Sequence, residues 1–410
     1  MTMGVVITGI GCVSSLGLNI KNFWQGLISK KSGISKIENF DASSLPVSIA
    51  GEIKNFSASD FLGLKRARQY SRYIHFGYAA AKIAIEDSGL MSSNIDKSRV
   101  GVIVGSGMGG IEVFEENVIK CHTKGPKRIS PFFIPMSIPN MQSGVIAIDY
   151  QFEGPNYSIS TACATGNHCI MNGAMLIEAN MADVVIVGGS EASLTEVGLG
   201  GFCSQKALSL STDPSTASRP FDINRNGFVA GEGSGVLVLE SEEHAKKRKA
   251  NILARYLGGG MSSDAYHITA PHPKGLGAAK AMSLALNQAK LNPEQIDYIN
   301  AHGTSTKLGD LAEVQAIHSV FKNQAKSVKV SSTKSMLGHS LGAAAAIEAI
   351  VAILTINEGV IHPTANLEEQ DKECNLNIVH KSAISTNIDY VMSNSFGFGG
   401  HNASIILGKY

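Results

Sequence analysis

Short runs of β-branched and aliphatic residues alternate with longer helical segments along the whole chain, and this alternation restricts the fold more than any other feature. Several runs, among them VGVIVGSG and VVIVGG, are continuously apolar, as in strands that helices cover on both faces. The pattern predicts a layered α/β fold with internal sheets. The predicted strands are residues 5–8, 100–104, 184–187, 236–239, 298–300, 328–330 and 404–407.

The length of 410 residues exceeds what one hydrophobic core usually supports, so we expect two halves. A charged helical stretch, ESEEHAKKRKA, stands before the strand-like ILARYLGGG and marks the boundary between them. It divides the chain into residues 1–250 and 251–410. A strand, a reactive residue, a glycine and a helix recur in this order in both halves, which hints at an ancient duplication.

The composition excludes several classes of protein. Hydrophobic residues make up 44% of the chain and charged residues 17%, as in a globular protein. Lysine and arginine total 35 against 34 acidic residues, so no global field attracts nucleic acid or an anionic membrane. We find no apolar run of membrane-spanning length and no targeting segment. These features predict a soluble cytoplasmic protein that neither binds nucleic acid nor inserts into a membrane.

Cys163 is the first candidate for chemistry, because it follows the strand-like NYSIST and precedes a helix of small residues. A thiol at a helix N-terminus feels the positive end of the helix dipole, which favours the thiolate and lowers the pKa. The free amides of the same turn can form an oxyanion hole. The alternative is an inert cysteine in the core.

Two histidines follow in glycine-containing loops. His302 ends a strand and precedes hydroxyl residues in the segment AHGTST, so its ring can either face a cleft or be satisfied by turn hydroxyls. His339 stands at the start of an alanine-rich helix that has almost no polar face and must be buried. At such a place an imidazole tends to stay a neutral N–H donor. Lys334 nearby can pair with Asp310 or Glu313, or it can be solvated.

The segment SNSFGFGGHN near the C-terminus is expected to form a flexible aromatic loop. One of its two phenylalanines, Phe396 or Phe398, can gate a pocket while its backbone N–H supplies a second oxyanion donor. The alternative is that both rings pack in the core.

Taken together, these segments closely resemble the β-ketoacyl-acyl-carrier-protein synthases of the thiolase superfamily, in their elongating types I and II. The resemblance extends over nearly the whole chain, and the joint order and spacing of its motifs are specific. The motifs are VVITGIG, KGPKRISPFFIP, GPNYSISTACATGN, ASRPFDINRNGFVAGEGSGVLVLE, SSDAYHITAPHP, NAHGTSTKLGD, SSTKSMLGHSLGAAAAIEA and SNSFGFGGHN.

The resemblance implies a thiolase fold, in which two similar halves with mixed five-stranded sheets stack as α-β-α-β-α layers in a homodimer. It implies a ping-pong reaction of type II fatty-acid synthesis, in which Cys163 takes an acyl chain from the phosphopantetheine of an acyl carrier protein. A malonyl carrier then loses CO2, and the enolate attacks the acyl-enzyme to give a 3-oxoacyl carrier. No redox or metal cofactor is required.

The family's functional residues can be placed on this chain by motif. His302 and His339 correspond to the donors that stabilise the enolate, Lys334 to the support of the histidine site, and the amides of Cys163 and Phe398 to the oxyanion hole. The substrate contacts correspond to Thr304, Thr306, Phe396 and Phe398. The ligands of a structural monovalent cation, which the family can hold, correspond to Asn300, Glu348, Ser393 and Asn394.

The family also binds an acidic helix of the carrier on a basic rim. On this chain the rim corresponds to Lys65, Arg68, Lys127, Arg128 and Lys206. The alternative is a scatter of solvated charges. Electrostatic docking of this kind predicts turnover that falls as salt rises.

Related classes fit less well. Initiating type III enzymes pair the cysteine with one histidine and an asparagine, degradative thiolases need a second catalytic cysteine where this chain has GFGGHN, and non-condensing partner subunits lack the nucleophile. Two alternatives stay open. A ketosynthase of polyketide or polyene biosynthesis would share every catalytic residue, and a carrier-binding protein without catalysis would leave Cys163 inert toward alkylating agents.

Overall fold

The computed structural model describes residues 4–410, in which strands and helices alternate as the sequence predicts. The strands are β1 (Val5–Val13), β2 (Ser35–Lys36), β3 (Ile49–Ala50), β4 (Val100–Gly105), β5 (Asn156–Tyr157), β6 (Val184–Glu191), β7 (Gly233–Ser241), β8 (Ala254–Ser263), β9 (Tyr298–Asn300), β10 (Lys329–Ser331), β11 (Val360–Ile361), β12 (Asn377–Ile378), β13 (Ile384–Ser385), β14 (Tyr390–Gly397) and β15 (His401–Gly408). The helices are α1 (Ile20–Ile28), α2 (Ala58–Leu62), α3 (Leu64–Ala67), α4 (Arg72–Asp87), α5 (Ile111–Lys124), α6 (Phe133–Ser137), α7 (Met141–Tyr150), α8 (Thr165–Glu178), α9 (Glu196–Ser204), α10 (Glu242–Lys247), α11 (Leu276–Ala289), α12 (Lys307–Phe321), α13 (Lys334–Leu337) and α14 (Ala344–Glu358).

One mixed sheet of 11 strands runs through the described residues, in the order β12-β10-β9-β14-β15-β8-β1-β7-β6-β4-β5. The five main strands are β1, β4, β5, β6 and β7 in the first half and β8, β9, β10, β14 and β15 in the second. If each set is numbered from 1 to 5 in chain order, both halves have the same spatial order, 3-2-4-5-1. In both, the fifth strand is antiparallel to its two neighbours and the other pairs are parallel. The expected similarity of the two halves is therefore confirmed in topology.

The two five-stranded units meet edge to edge through β1 and β8. Val5–Ile7 pair antiparallel with Ala254–Tyr256, and this pairing spans only three residues. The expected five-stranded sheets are thus joined rather than separate, and the second half carries one additional edge strand, β12. The boundary that we placed between residues 250 and 251 falls between α10 and β8, and it remains a prediction.

The layers are those of the expected α-β-α-β-α stack. α4 and α7 pack on the first-half strands, and α11 packs on the second-half strands beside α12. Between them α8 and α14 contact each other and strands of both halves, so they form the central helical layer. The predicted thiolase-like layering is confirmed.

Small residues allow these layers to lie close together. All nine residues of β1 are buried, because α4 covers one of its faces and helices of the central layer lie toward the other. Gly11 of β1 lies against the backbone of α4, where a side-chain carbon would clash with the Ala80 carbonyl oxygen. A larger residue at this position would separate the helix from the sheet.

The central helix α14 is buried along almost its whole length, as its missing polar face predicts. The stretch Leu341–Glu358 is long and apolar enough to cross a membrane by length and composition, and most of it lies inside the protein. The expectation that the sequence contains no such run was therefore wrong. The burial shows why the stretch is apolar: it packs between two sheets.

The segment predicted as a flexible aromatic loop is mostly a β-hairpin. Residues 393–397 complete β14, His401 begins β15, and only Phe398–Gly400 form the turn. Serine and asparagine hid this strand in the sequence, because polar residues are unusual in a buried strand. Here the Ser395 hydroxyl donates to the Cys163 carbonyl, and Asn394 Oδ1 accepts from Ser404.

Candidate active site

Four loops of the two halves converge on one cavity of about 320 Å³. Cys163 lies in the turn before α8, His302 directly after β9, His339 shortly before α14, and Phe398 in the turn between β14 and β15. All four residues line the cavity. The structure therefore brings together the main predicted site residues from both halves of the chain.

The turn that presents Cys163 has an unusual backbone. Ala162 has a φ of 50°, a left-handed conformation that non-glycine residues rarely adopt. The Ser395 hydroxyl donates to the Cys163 carbonyl at 2.6 Å, and Gly397 lies so close that a side-chain carbon there would be 3.0 Å from the Cys163 nitrogen. β14 thus holds the turn in place.

The thiol and the two imidazoles are in direct reach of one another. Cys163 Sγ lies 3.0 Å from His339 Nε2, and the His302 and His339 rings are 5.3 Å apart in an edge-to-face arrangement. The His339 ring also packs edge-to-face against Phe228, at 5.4 Å. Because Nε2 can accept from a thiol or donate to a thiolate, this pair can share one proton.

Both histidines are held neutral by their surroundings. Burial lowers the pKa of His302 and of His339 well below the usual 6.5, and the nearby charge of Lys334 lowers both further. The direction agrees with the predicted role of neutral N–H donors.

The pKa of Cys163 departs from the sequence-based expectation. Burial raises it to about 12, although Lys334 and the backbone N–H of Phe398 both act to lower it. The resting group is therefore a thiol, and the expected lowered pKa was wrong. Removal of the thiol from water outweighs the favourable charges around it.

Lys334 is buried and paired, which excludes the solvated alternative, but its partner differs from both candidates. Its ammonium donates to Glu348 on α14, and the two side chains are only 3% and 2% exposed. Glu313 instead accepts the backbone N–H groups of His302, at 2.9 Å, and Gly303, at 2.8 Å. Glu313 thus fixes the loop that carries His302.

The other rejected candidate, Asp310, serves a separate structural cluster. Its carboxylate accepts the backbone N–H groups of Phe221 and Ser305 and lies 3.5 Å from the guanidinium of Arg225. The long reach of a lysine hid the correct pairing, since spacing along the chain does not show which carboxylate a fold brings near.

The predicted substrate contacts also line the cavity. The hydroxyls of Thr304 and Thr306 are 2.9 Å apart, and Thr306 caps the N-terminus of α12. The Phe396 ring lies 5.8 Å from His302, and the Phe398 ring lies 6.4 Å from Phe202. Their roles remain predictions.

The proposed cation ligands fit such an ion in part. Three of them have buried oxygens without a hydrogen-bond partner within residues 4–410, namely Asn300 Oδ1, Glu348 Oε2 and Ser393 Oγ. Unsatisfied buried oxygens suit a monovalent cation. The side chain of Asn394 fits less well, because its Oδ1 accepts from Ser404 and its Nδ2 faces Glu313.

The five predicted docking residues lie at the surface, outside the cavity. All of them are exposed, namely Lys65, Arg68, Lys127, Arg128 and Lys206. Lys206 directly precedes Ala207, which lines the cavity. Exposure is compatible with docking and with a solvated scatter of charges, so this set stays a prediction.

Glu191 is a cavity-lining residue that the sequence analysis missed. Its carboxylate accepts the Ser106 hydroxyl and the backbone N–H groups of Gly107, Met108 and Gly342, at 2.9–3.2 Å. It thereby ties a first-half loop to the turn before α14, which begins with Leu341 at a φ of 45°. An acid at the end of the apolar strand VVIVGGSE was the signal that could have revealed it.

The comparisons with known proteins agree with this geometry. Residues 2–245 match the family model "Beta-ketoacyl synthase, N-terminal domain", and residues 253–368 match "Beta-ketoacyl synthase, C-terminal domain". The 3-oxoacyl-[acyl-carrier-protein] synthase 2 of Coxiella burnetii is 48% identical over 99% of this chain and 98% of that relative. The chloroplastic synthase I of Hordeum vulgare is 46% identical over 99% and 89%, respectively.

Solved structures share the fold over the whole chain. A β-ketoacyl synthase from Burkholderia phymatum superimposes with a TM-score of 0.93 at 33% identity, and the ishigamide ketosynthase/chain length factor does so with 0.93 at 35%; both cover 100% of each chain. A type II polyketide ketosynthase in complex with its acyl carrier protein gives 0.93 at 31%, also with full coverage. The matches in sequence and in structure extend over both halves, and this chain therefore belongs to the β-ketoacyl synthase family.

Proposed function

We propose that the chain is a 3-oxoacyl-[acyl-carrier-protein] synthase of type II fatty-acid synthesis, which condenses an acyl carrier with a malonyl carrier. The observation that carries the proposal is the meeting of one thiol and two neutral imidazoles in a single cavity, with Cys163 Sγ 3.0 Å from His339 Nε2. The 46–48% identity to full-length 3-oxoacyl carrier synthases supports it.

The first half-reaction transfers the acyl group. Cys163 attacks the thioester carbonyl while its proton passes toward His339 Nε2 and then to the departing pantetheine thiolate. The products are acyl-Cys163 and a free carrier thiol. The oxyanion that forms on the carbonyl is stabilised by the backbone N–H groups of Cys163 and Phe398.

The second half-reaction forms the carbon–carbon bond. Once the sulfur is acylated, it no longer competes for His339 Nε2, and both imidazoles can donate to the malonyl thioester oxygen. Loss of CO2 leaves an enolate, whose carbon attacks the acyl-Cys163 carbonyl. Expulsion of the Cys163 sulfur, which takes up one proton, yields the 3-oxoacyl carrier. Neutral donors suit this step because a cationic imidazolium would protonate the carbanion.

No redox or metal cofactor enters these steps. Lys334 is held in place by its buried ion pair with Glu348, and its ammonium group lies near both imidazoles. If a monovalent cation is bound, Asn300, Glu348 and Ser393 would hold it, and it would supply structural charge balance.

The test is incubation of the purified chain with acyl carriers of graded length and malonyl carrier, followed by mass spectrometry. We expect 3-oxoacyl carriers two carbons longer, with neither acyl-enzyme nor product in Cys163→Ala. A wild-type enzyme that only decarboxylates malonyl carrier, or that ignores saturated chains, would overturn the assignment to fatty-acid synthesis. The polyketide alternative, to which the structural similarity of polyketide ketosynthases points, would then be favoured.

We infer that the carrier docks electrostatically on the basic rim defined above. A related ketosynthase has been solved in complex with an acyl carrier protein, which supports the class of partner. The exposure of the five rim residues and the position of Lys206 beside the cavity support the location.

We also propose a homodimer located in the cytoplasm. The segment from α5 to β5 exposes several large apolar side chains, which is unusual for the surface of a monomer. In addition, β5 is an edge strand of the sheet. The exposed side chains are Phe114, Val118, Ile119, Phe132, Ile134, Ile138, Ile148 and Tyr157.

The proposed cytoplasmic location is supported by the six cysteines, all of which are free thiols in the described structure, as in a reducing compartment.

Sedimentation of the full chain tests the dimer. We expect a dimer for the wild type and a shift toward monomer for Ile134→Glu combined with Ile148→Glu. Leu284→Glu, which changes an exposed apolar residue on α11, is the matched control and should stay dimeric. A wild type that sediments as a monomer would contradict the proposal.

A further inference from the structure

The three side chains at the centre of the cavity also form a set of metal ligands. Cys163 Sγ and one nitrogen from each of His302 and His339 lie within 4.8 Å of one another, and all three residues are buried. One thiolate and two imidazoles are donors that Zn²⁺ and similar thiophilic divalent ions select.

The distances suit such an ion after a small adjustment. Zn²⁺ binds sulfur at about 2.3 Å and nitrogen at about 2.0–2.1 Å, which places the ligand atoms of a tetrahedral site roughly 3.3–3.6 Å apart. Cys163 Sγ and His339 Nε2 are already 3.0 Å apart. His302 would have to approach by up to about 1.5 Å, and the fourth ligand position would be left to water, as in open zinc sites.

A second observation points to a ligand at this place. His302 is only 7% exposed, and within residues 4–410 its buried Nδ1 has no hydrogen-bond partner. Buried imidazoles usually have a partner, so an unpaired one that lines a cavity is available for coordination. The charge of Lys334, which would repel a cation, is offset in part by its partner Glu348 and by Glu313, which binds the backbone of the His302 loop.

We propose that Cys163, His302 and His339 form an inhibitory site for a thiophilic divalent cation of the Zn²⁺ class. Binding exchanges the thiol proton for the metal: Cys163–SH and M²⁺ give a Cys163–S–M⁺ bond and one H⁺, with no change of oxidation state. The metal occupies the sulfur that would attack the thioester, and an acyl group on that sulfur in turn prevents metal binding. Inhibition is therefore competitive with the acyl carrier and reversed by a chelator.

Cd²⁺ is the probe for this site, because its bond to a thiolate absorbs in the ultraviolet. The test uses the full chain with Cys121→Ser and Cys203→Ser, which removes the two cysteines that are not fully buried. We expect one Cd²⁺ per chain, the appearance of thiolate-to-cadmium absorption, and loss of alkylation of Cys163 by iodoacetamide. The chelator EDTA should restore alkylation.

Single variants in this background identify the ligands. Cys163→Ser should abolish the absorption, and His302→Gln and His339→Gln should each weaken Cd²⁺ binding by roughly tenfold or more. His122→Gln, which changes a histidine at the surface, should leave the affinity unchanged. Thermal unfolding of each variant shows whether it is folded.

Equal Cd²⁺ affinity in Cys163→Ser, or an unchanged alkylation rate at saturating Cd²⁺, would overturn the proposal. Both measurements use no carrier substrate. A chain that binds Cd²⁺ at Cys163 but condenses nothing would therefore refute only the proposed function.

Discussion

The buried pair of Lys334 and Glu348 combines a structural role with an electrostatic one. Lys334→Met leaves the Glu348 carboxyl buried without its cation, and we expect a loss of about 3–5 kcal/mol in unfolding free energy, as for other broken buried pairs. Combination with Glu348→Gln removes both charges and should restore most of that loss. Urea denaturation of the two single variants and the double variant measures these differences.

The same variants separate stability from reactivity. Lys334 lowers the pKa of Cys163, so its removal should slow alkylation of the thiol by iodoacetamide at neutral pH. We expect the double variant to recover stability but to regain only part of the alkylation rate, because the charge of Glu348, which raises the pKa of Cys163, is removed as well. An unchanged alkylation rate in Lys334→Met alone would show that Lys334 has no electrostatic role.

A pH-dependent effect on stability follows from the lowered pKa of His302. The unfolded chain takes up this proton near the usual histidine pKa of about 6.5, whereas the folded protein takes it up only at lower pH. The contribution of the neutral ring to the free energy of unfolding is fully present above about pH 6.5 and is lost as the pH falls. Between about pH 6.5 and pH 5 this loss amounts to at most about 2 kcal/mol.

Comparison with His302→Asn isolates this contribution. Buried carboxyls such as Glu191, whose pKa burial raises to about 7, act in the opposite direction, but they are common to both proteins. Urea denaturation at the two pH values should therefore show a smaller acid loss in His302→Asn than in the wild type. Equal losses would mean that His302 is protonated in the folded state.

At the residue scale, the sequence predicted which residues form the site better than it predicted their pKa values and ion-pair partners. Cys163, His302 and His339 stand in recognisable loops, and the structure places all three in one cavity. The partner of Lys334 and the direction of the Cys163 pKa were both wrong. Each depends on how deeply the fold buries a group and which distant charge it brings near, and neither is encoded by local spacing.

Among the elements, α8 and α14 contact each other closely just beyond the turns that carry Cys163 and His339. Gly166, in the first turn of α8, lies against the backbone of α14, where an added carbon would clash with the Ala346 nitrogen. Gly166→Ala should push the helices apart and lower the melting temperature by several degrees. It should also slow acylation, because Cys163 and His339 stand at the starts of these two helices.

Gly201→Ala is the matched control for that substitution. Gly201 lies inside α9, outside the proposed dimer face, and a side-chain carbon there would meet nothing within 4 Å. Since alanine is the better helix former, we expect stability to stay equal or to rise by about 0.5–1 kcal/mol. Differential scanning calorimetry compares the two variants, and equal destabilisation would show that the close contact with α14 is not the cause.

Elements with a strong hydrophobic pattern could be predicted from the sequence, whereas strands rich in polar residues could not. The runs at residues 184–187 and 236–239 lie within β6 and β7, and the buried helix α14 was expected from its missing polar face. β14 was predicted as a loop because serine, asparagine and glycine dominate its C-terminal half. Asn394 and Ser395 fit a buried strand because β15 and the turn at Cys163 supply hydrogen-bond partners for their side chains, which is a tertiary effect.

At the scale of the whole molecule, a nearly neutral protein would need a local patch to attract an acidic carrier. Lys65→Glu combined with Arg68→Glu should raise the KM for acyl carrier by roughly tenfold and weaken its salt dependence. Alkylation of Cys163 by a small reagent should not change. Lys247→Glu, an exposed lysine of α10 outside the rim, is the control, and an equal effect there would refute a specific docking surface.

The repeated topology was only hinted at in the sequence, yet the two halves match strand for strand. The recurring order of strand, reactive residue, glycine and helix pointed toward it, but similarity of strand order and direction becomes visible only when the sheet is assembled. The join between β1 and β8 was not predictable, because three paired residues leave no distinct pattern.

Because the two halves repeat the same topology, the contact between Glu191 and Gly342 can be compared with the corresponding place in the first half. The turns at 162–164 and 341–343 are built alike, each beginning with a left-handed residue and leading into a central helix. In the second turn Gly342 takes the place of Cys163, and its N–H donates to the carboxyl group of Glu191 in the same chain. In the first turn Gly397 lies beside the corresponding N–H and contributes no side chain. One copy thus carries in its own sequence the carboxyl group that occupies this N–H, whereas the proposed reaction would bring an oxyanion to the same place in the other copy only while an intermediate lasts.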